Sequence, residues 1–208
     1  MARKTKEEAN QTKSAILESA LDVFCEKGYS RTTFEEIAKR IGLTKGAVYW
    51  HFDNKPQIII ALIKKTLQHI NAEIDEQIPV INSSEDLINR FVYEAKLIST
   101  NPDYHKVLFF LKLQMEWSEA LLSSIGDSLL EIKKMWVTYI KDNLILLQKK
   151  GEIQAKINIE ELSILISSLW TGLLHHELGK MSPMDFPDMV KKSLSLIINS
   201  IKTERSFQ

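Results

Sequence analysis

The stretch TTFEEIAKRIGLTKGAVYWHFDNK, residues 32–55, decides the fold. Thr33 and Glu36 spell a T-x-x-E capping box, in which the hydroxyl accepts the N–H three residues on and the carboxylate reaches back to the cap. Phe34, Ile37, Ala38 and Ile41 then recur at helical spacing and predict one buried stripe. Gly42 stops this helix, because glycine enters the left-handed backbone region at little cost. Leu43 anchors the turn, and Thr44 caps a second short helix. Ala47, Val48 and Phe52 face inward on that helix, which leaves Lys45, Gly46, Tyr49, Trp50 and His51 outside.

Two aromatics, a histidine, a lysine and a glycine make an unusual solvated face. Gly46 costs helix stability, roughly 1 kcal/mol against alanine, but permits close approach of another backbone. Lys45, Tyr49, His51 and Lys55 can donate to phosphates, and the helix N-terminus adds its own N–H groups. Such a pair of helices suits a helix-turn-helix whose second member enters the major groove. A helical hairpin with its aromatics packed in a core is the plainer reading of the same periodicity.

The stretch resembles the DNA-binding signature of the TetR family of repressors. Thr32-Thr33, Ile37-Ala38, Gly42-Leu43-Thr44, the run Lys45 to Phe52, and Lys55 all stand in register with it. The opening MARKTKEEA and the segment YWHFDNK are similar to the Acr-type branch, whose members repress multidrug efflux pumps and release DNA on binding pump substrates. The strong match covers about the first quarter of the chain.

Taken with the residues, the resemblance implies DNA contacts from Thr32, Thr33, Thr44, Lys45, Gly46, Tyr49, Trp50, His51 and Lys55. Lys45 is expected to read a base edge, and Tyr49, His51, Lys55 and Thr33 to hold phosphates. Arg31 and Thr32 lie where phosphate contacts would fix register. Arg3, Lys4 and Lys6 can follow the DNA backbone or enter the minor groove, or remain a solvated tail.

Bulk composition sets outer limits. The 208 residues are 44% hydrophobic and 26% charged, with zero net charge, which excludes wholesale disorder and a uniformly basic coat. Residues 1–55 hold ten basic and eight acidic residues, so positive charge is only mildly concentrated there. The single cysteine, Cys25, excludes an intrachain disulfide and suits a small apolar filler. The charged N-terminus lacks the apolar segment of a signal peptide. The longest apolar run, Ile58 to Ile63, is far short of the ~20 residues that span a bilayer. A cytoplasmic protein without membrane association is expected.

The remaining punctuation predicts an all-α chain of about nine helices. A three-helix DNA-binding domain is expected over 1–55, and a ligand-binding and dimerisation domain over 56–208. The first helix covers about 11–27, with Ile16, Leu17, Ala20, Leu21 and Phe24 buried. A fourth helix, capped by Asn54 with Pro56 in its first turn, runs to about Ile78. At 1.5 Å per residue it is roughly 35 Å long, a rod shared by two domains that could couple ligand to DNA. Further helices are expected at about 85–100, 103–117, 123–150, 160–179 and 186–202.

Helix 8, IEELSILISSLWTGLLHHEL, is apolar around most of its circumference and must therefore be covered all round. Helix 9 adds its own apolar stripe. Two such helices can meet their copies in a four-helix bundle. The expected homodimer interface takes Leu165, Ser168, Leu169 and Gly172 from helix 8, and Leu194, Ile198 and Ile201 from helix 9. A twofold dimer would also double the length of a palindromic operator that is read.

Helices 4 to 7 are expected to enclose a pocket for a bulky, partly apolar effector. Candidate lining residues are Phe91, Phe109, Phe110 and Leu113, with Trp117, Trp136, Tyr139 and Trp170. The resemblance places an acid near the pocket, and Glu116 would meet a cationic ligand there.

Enzyme readings find little support. Adjacent His175 and His176 point about 100° apart on a helix and do not converge on one ion, unlike H-E-x-x-H. No glycine-rich phosphate loop or nucleophile motif is present. No cofactor or metal is expected. The implied function is a repressor that binds palindromic operator DNA as a homodimer and is released by a small hydrophobic or cationic effector, controlling a multidrug efflux pump. The alternative is a TetR-like DNA-binding protein with an architectural or cell-division role, acting through a protein partner.

Overall fold

The computed structural model describes residues 6–181 and 183–202. Among them the chain is helical and forms no strand, apart from one isolated bridge between Ile153 and Lys202. The helices are α1 Lys6–Lys27, α2 Phe34–Arg40, α3 Lys45–His51, α4 Lys55–Gln77, α5 Ser84–Thr100, α6 Pro102–Phe109, α7 Glu119–Lys149, α8 Ile159–Leu178 and α9 Phe186–Ile201. A π-helical turn, Phe110–Gln114, continues α6. The helix expected over 103–117 therefore ends early: Met115 turns extended, and the Trp117 indole N–H donates to the Leu111 carbonyl at 3.2 Å.

The chain divides into two compact units. The first comprises residues 1–67 and 106–129, the second 68–105 and 130–208. The expected boundary after residue 55 is not where this division falls, because α1 buries residues against two distant segments. Phe24 sits among Ile37, Val48 and Ile58, and its ring stacks on that of Phe110 with centroids 5.5 Å apart. The π-helical turn thus shares a core with the first three helices. Both α4 and α7 contribute residues to each unit.

In the second unit α9 packs against α5 and α8. Phe91 meets Trp136 and Trp170, each with ring centroids 5.5 Å away, and Trp170 reaches Phe186 at 5.7 Å. At the far end of α9, the Gln154 N–H donates to the Ile201 carbonyl at 3.0 Å, which ties down the loop before α8.

Candidate nucleic-acid interface and effector cavity

The capping box of α2 is complete. The Glu36 N–H donates to Thr33 Oγ1 at 3.3 Å, and the Thr33 N–H donates to Glu36 Oε2 at 2.9 Å. Lys27 Nζ lies 2.5 Å from the other Glu36 oxygen. The Lys27 bond, then the Thr33 N–H and hydroxyl, pull this carboxyl down to about 2. Gly42 adopts φ 67°, and the Leu43 and Gly42 N–H groups donate to the carbonyls of Ala38 and Lys39. Those two bonds form a Schellman motif, which satisfies the last carbonyls of α2 and sets the angle at which α3 departs. Thr44 caps α3 through the Ala47 N–H at 3.2 Å. From α1, Ser19 Oγ donates to the Ile37 carbonyl at 2.9 Å, a buried tie that fixes α2.

Only Val48 of α3 is fully buried. Lys45, Gly46, Tyr49 and Trp50 are exposed, Trp50 at 70%. Tyr49 leans on Phe34 with centroids 4.8 Å apart, and Lys45 Nζ lies 5.6 Å from the Tyr49 ring centroid. His51 is half-buried, edge-on to Trp50 at 4.5 Å. Outside Gly46, its two neighbours and the helix's own backbone, the nearest atom to a Cβ added at Gly46 is Thr44 Oγ1 at 3.8 Å, so the protein leaves space there. The exposed face therefore carries a cation, two aromatic rings and a gap between side chains.

Two expected contact residues are turned away from this surface. Thr32 is buried, and its hydroxyl donates to the Gly28 carbonyl at 2.8 Å, which closes the loop after α1. Lys55 Nζ donates to the Tyr29 and Ser30 carbonyls at 2.7 and 3.0 Å and lies over the Tyr29 ring. Burial pushes the Lys55 ammonium below its usual range, with Glu116 and Glu36 opposing. Lys55 thus braces the loop that leads into α2. Thr33 and Thr44 remain exposed but spend their hydroxyls on caps. Arg3 and Lys4 lie outside the described residues.

The expected effector residues separate into two groups. Phe91, Trp136, Tyr139 and Trp170 meet inside the second unit. Phe110 is fully buried against Phe24 in the first unit, with Leu113 and Phe109 half-buried beside it in sequence. Glu116 is exposed and accepts a 2.6 Å hydrogen bond from Ser30 Oγ, so it is committed to the loop before α2. Trp117 caps the π-helical turn through its indole. These last residues are structural parts of the first unit.

The second unit has a solvent-open cleft of about 460 Å³ that sequence reasoning missed. Of the expected residues only Tyr139 lines it. Ile78, Ile81 and Leu146 supply its apolar wall, and Asp75, Arg90 and Asn143 its polar groups. Arg90 and Glu94 stand four residues apart on the face of α5 that also buries Leu87, Phe91, Ala95 and Ile98. A charged pair inside an apolar stripe was the available signal.

The expected dimer residues also divide. Leu194 and Ile198 are buried, at 4% and 1% exposure, in the stripe of α9 that faces its own unit, so they are core. Leu165 is 52% exposed, and beside it on α8 lie exposed Ile164, Ser168 and Gly172 and half-buried Leu169. Leu196 on α9 is 75% exposed and Ile201 half-buried. The expectation that α8 is covered all round fails within one chain: half of it faces outward.

Two short helices joined by a Schellman turn, braced by α1 and presenting an uncovered basic and aromatic face, define a helix-turn-helix regulator of transcription. Residues 16–62 match the model for the bacterial regulatory proteins of the tetR family. Those residues carry the DNA-binding segment of the TetR family. It is 26% identical over 201 residues to the HTH-type transcriptional regulator TtgR of Pseudomonas putida, covering 92% of each chain. It is 52% identical over 58 residues to the regulator AcrR of Shigella flexneri, 28% of this chain and 27% of that one. The SmeT–triclosan complex superposes with a TM-score of 0.78 at 20% identity over 95% of each chain. SmeT is the repressor of the Stenotrophomonas maltophilia multidrug efflux pump SmeDEF. The relatives are transcriptional regulators, and the chain is one of them and not an enzyme. Among the described residues no helix is long and apolar enough to cross a membrane.

Proposed function

We propose that this protein is a homodimeric repressor that occupies a palindromic operator and leaves it when a small, largely apolar effector binds the second unit. The observation that carries the DNA part is the face of α3. A 70%-exposed tryptophan beside an exposed tyrosine and lysine costs solvation unless another surface covers it. Lys45 is assigned to a base edge, Gly46 to close approach, and Tyr49, Trp50 and His51 to the flanking backbone. The apolar outer face of α8, from Ile164 to Gly172, supports pairing with a second copy. That SmeT and related proteins govern multidrug efflux pumps supports the same target class here. The SmeT–triclosan complex supports a small-molecule effector.

The test is fluorescence anisotropy of the purified protein on its own upstream DNA, at two salt concentrations, with and without a ligand panel. Tight, salt-sensitive binding relieved by one compound class is expected. Binding to dozens of scattered genomic sites that no compound alters would favour an architectural role instead. Lys45→Ala should relax sequence preference at one position of each half-site. Lys55→Ala should lower the affinity for every sequence through its brace on the Tyr29–Ser30 loop, with the salt slope unchanged. A reduced salt slope for Lys55→Ala would place that ammonium on a phosphate after all.

A further inference from the structure

The cavity of the second unit contains a cation whose partners are incomplete. Arg90 is 5% exposed. Its Nη1 donates to Asp75 at 2.7 Å, its Nη2 reaches Asn71 only at 3.4 Å, and its guanidinium carbon lies 4.7 Å from the Tyr139 ring centroid. Its buried Nε–H has no acceptor among the described residues. A buried donor left unmade forfeits its hydration with nothing in return. The one carboxylate paired with this cation is also loosely held, since the Asp75 side chain is 62% exposed. An ion pair with one partner in water contributes little and is readily exchanged.

The second acid near Arg90 neutralises it only in part near pH 7. Glu94 lies one helical turn further along α5, and burial pushes its carboxyl up to about 7 against the pull of Arg90. Beside these polar groups the lining carries Ile78, Pro79, Val80, Ile81 and Leu146, and the space of about 460 Å³ opens to solvent.

We propose that this cavity binds a small monocarboxylate with an apolar body. The carboxylate meets the Arg90 guanidinium on its Nε and Nη2 side and supplies the acceptor that Nε lacks, while Asp75 stays on Nη1. The planar fork of arginine matches two carboxylate oxygens better than any single acceptor. The ring or chain of the ligand lies along Ile78, Ile81 and Leu146, with Tyr139 holding the guanidinium from the other side. An amine in the same place would confront a buried cation, with only solvated Asp75 and a partly ionised Glu94 opposed to it. Glu116, the acid expected to select cations, is bonded to Ser30 in the first unit. This assignment deepens the effector-responsive reading and rests on it for its consequence at DNA.

The test is isothermal titration calorimetry of the full chain, without DNA, against 4-phenylbutyrate, 4-phenylbutyramide and 4-phenylbutylamine, which share one apolar body. The acid should bind at least about tenfold tighter than the amide, and the amine weakest, because like charges repel across a desolvated contact. Arg90→Gln should abolish the preference for the acid. Since that buried change can unfold the chain, Asp75→Asn provides a second measurement at an exposed side chain. It removes the negative charge beside Arg90 that repels an incoming carboxylate and should tighten acid binding about threefold. An amine that binds as well as the acid, no binding of the acid at millimolar concentration, or weaker acid binding by Asp75→Asn would overturn the assignment. Because DNA is absent, these failures are separable from failure of the repressor reading. A protein that leaves its operator for a neutral or cationic compound while ignoring the acid keeps its repressor role and loses this site.

Discussion

Glu36 and Glu94 show how differently the two units hold charge. Glu36 lies at the surface, where Lys27 and the Thr33 N–H and hydroxyl stabilise its ionised form and bring it down to about 2. Glu94 lies in the interior of the second unit, where burial raises it to about 7 with only Arg90 opposing. One acid is fixed by bonds within a few residues of chain. The other is unsettled by packing that surrounds it. Under the proposed function the contrast fits a division of labour: a reading head whose helix caps are closed by local bonds, and an interior whose charges leave scope for a ligand to change the energy.

The largest expected effect tests the packing on which the second half of that contrast rests. Phe91 is 1% exposed and meets both Trp136 and Trp170. Phe91→Ala should destabilise the protein by about 3–5 kcal/mol, read from urea unfolding followed by tryptophan fluorescence. A loss below about 1 kcal/mol would mean the interior is loosely packed, and the burial that raises Glu94 would lose its basis.

The next effect concerns Glu94 itself. Its folded value, about 7, exceeds its ordinary 4.5, so between them the native state binds the proton more tightly than the unfolded chain does. Stability from this group is therefore greatest below about 4.5 and falls as pH rises through 7. The shift corresponds to about 3 kcal/mol of differential stability at pH 8. Glu94→Gln should be more stable than the parent at pH 8 by an amount that shrinks toward pH 5. Parallel stability profiles for the two proteins from pH 5 to 8 would sink the claim.

The same contrast governs what the sequence reveals. The capping box, the Gly42 turn and the Thr44 cap each depend on residues within five positions of one another, and all three are legible in TTFEEIAKRIGLTK. Lys55 is not, because the carbonyls it braces lie 25 and 26 residues away. Thr32 looks like part of the exposed entry to α2 until its bond to Gly28 is known. In the second unit, residue type alone does not show that Phe91, half-buried Trp136 and Trp170 pack on one another. The cavity is marked by a buried arginine. The apolar circumference of α8 leaves Ile164 and Leu165 exposed on its outer face, and is silent on what covers them.

A smaller effect probes the reading head. Thr33→Ala removes the hydroxyl that accepts the Glu36 N–H and should cost about 1 kcal/mol of stability. Because α2 carries the turn that aims α3, the same change should weaken operator binding more than it weakens nonspecific binding. An equal loss on both DNAs would separate the cap from the aim of α3.

The smallest effect sharpens the comparison most directly, since Glu36→Gln has the opposite pH sign to Glu94→Gln. Glutamine keeps an oxygen that can accept the Thr33 N–H, so the box survives, but it cannot pair with the Lys27 charge. The folded carboxyl lies below its ordinary value, so its stabilisation is present above about 4.5 and is lost as pH falls toward 2. The parent should therefore melt slightly above the variant at pH 6, and the two midpoints should converge as pH is lowered toward 2.5. Exposure and salt screening keep the gap small, so it should narrow further at high ionic strength. A gap that is constant from pH 6 to 2.5 would show that the glutamine had disturbed the box rather than the charge. The surface acid would then be held by geometry alone, and its contrast with Glu94 would reduce to burial.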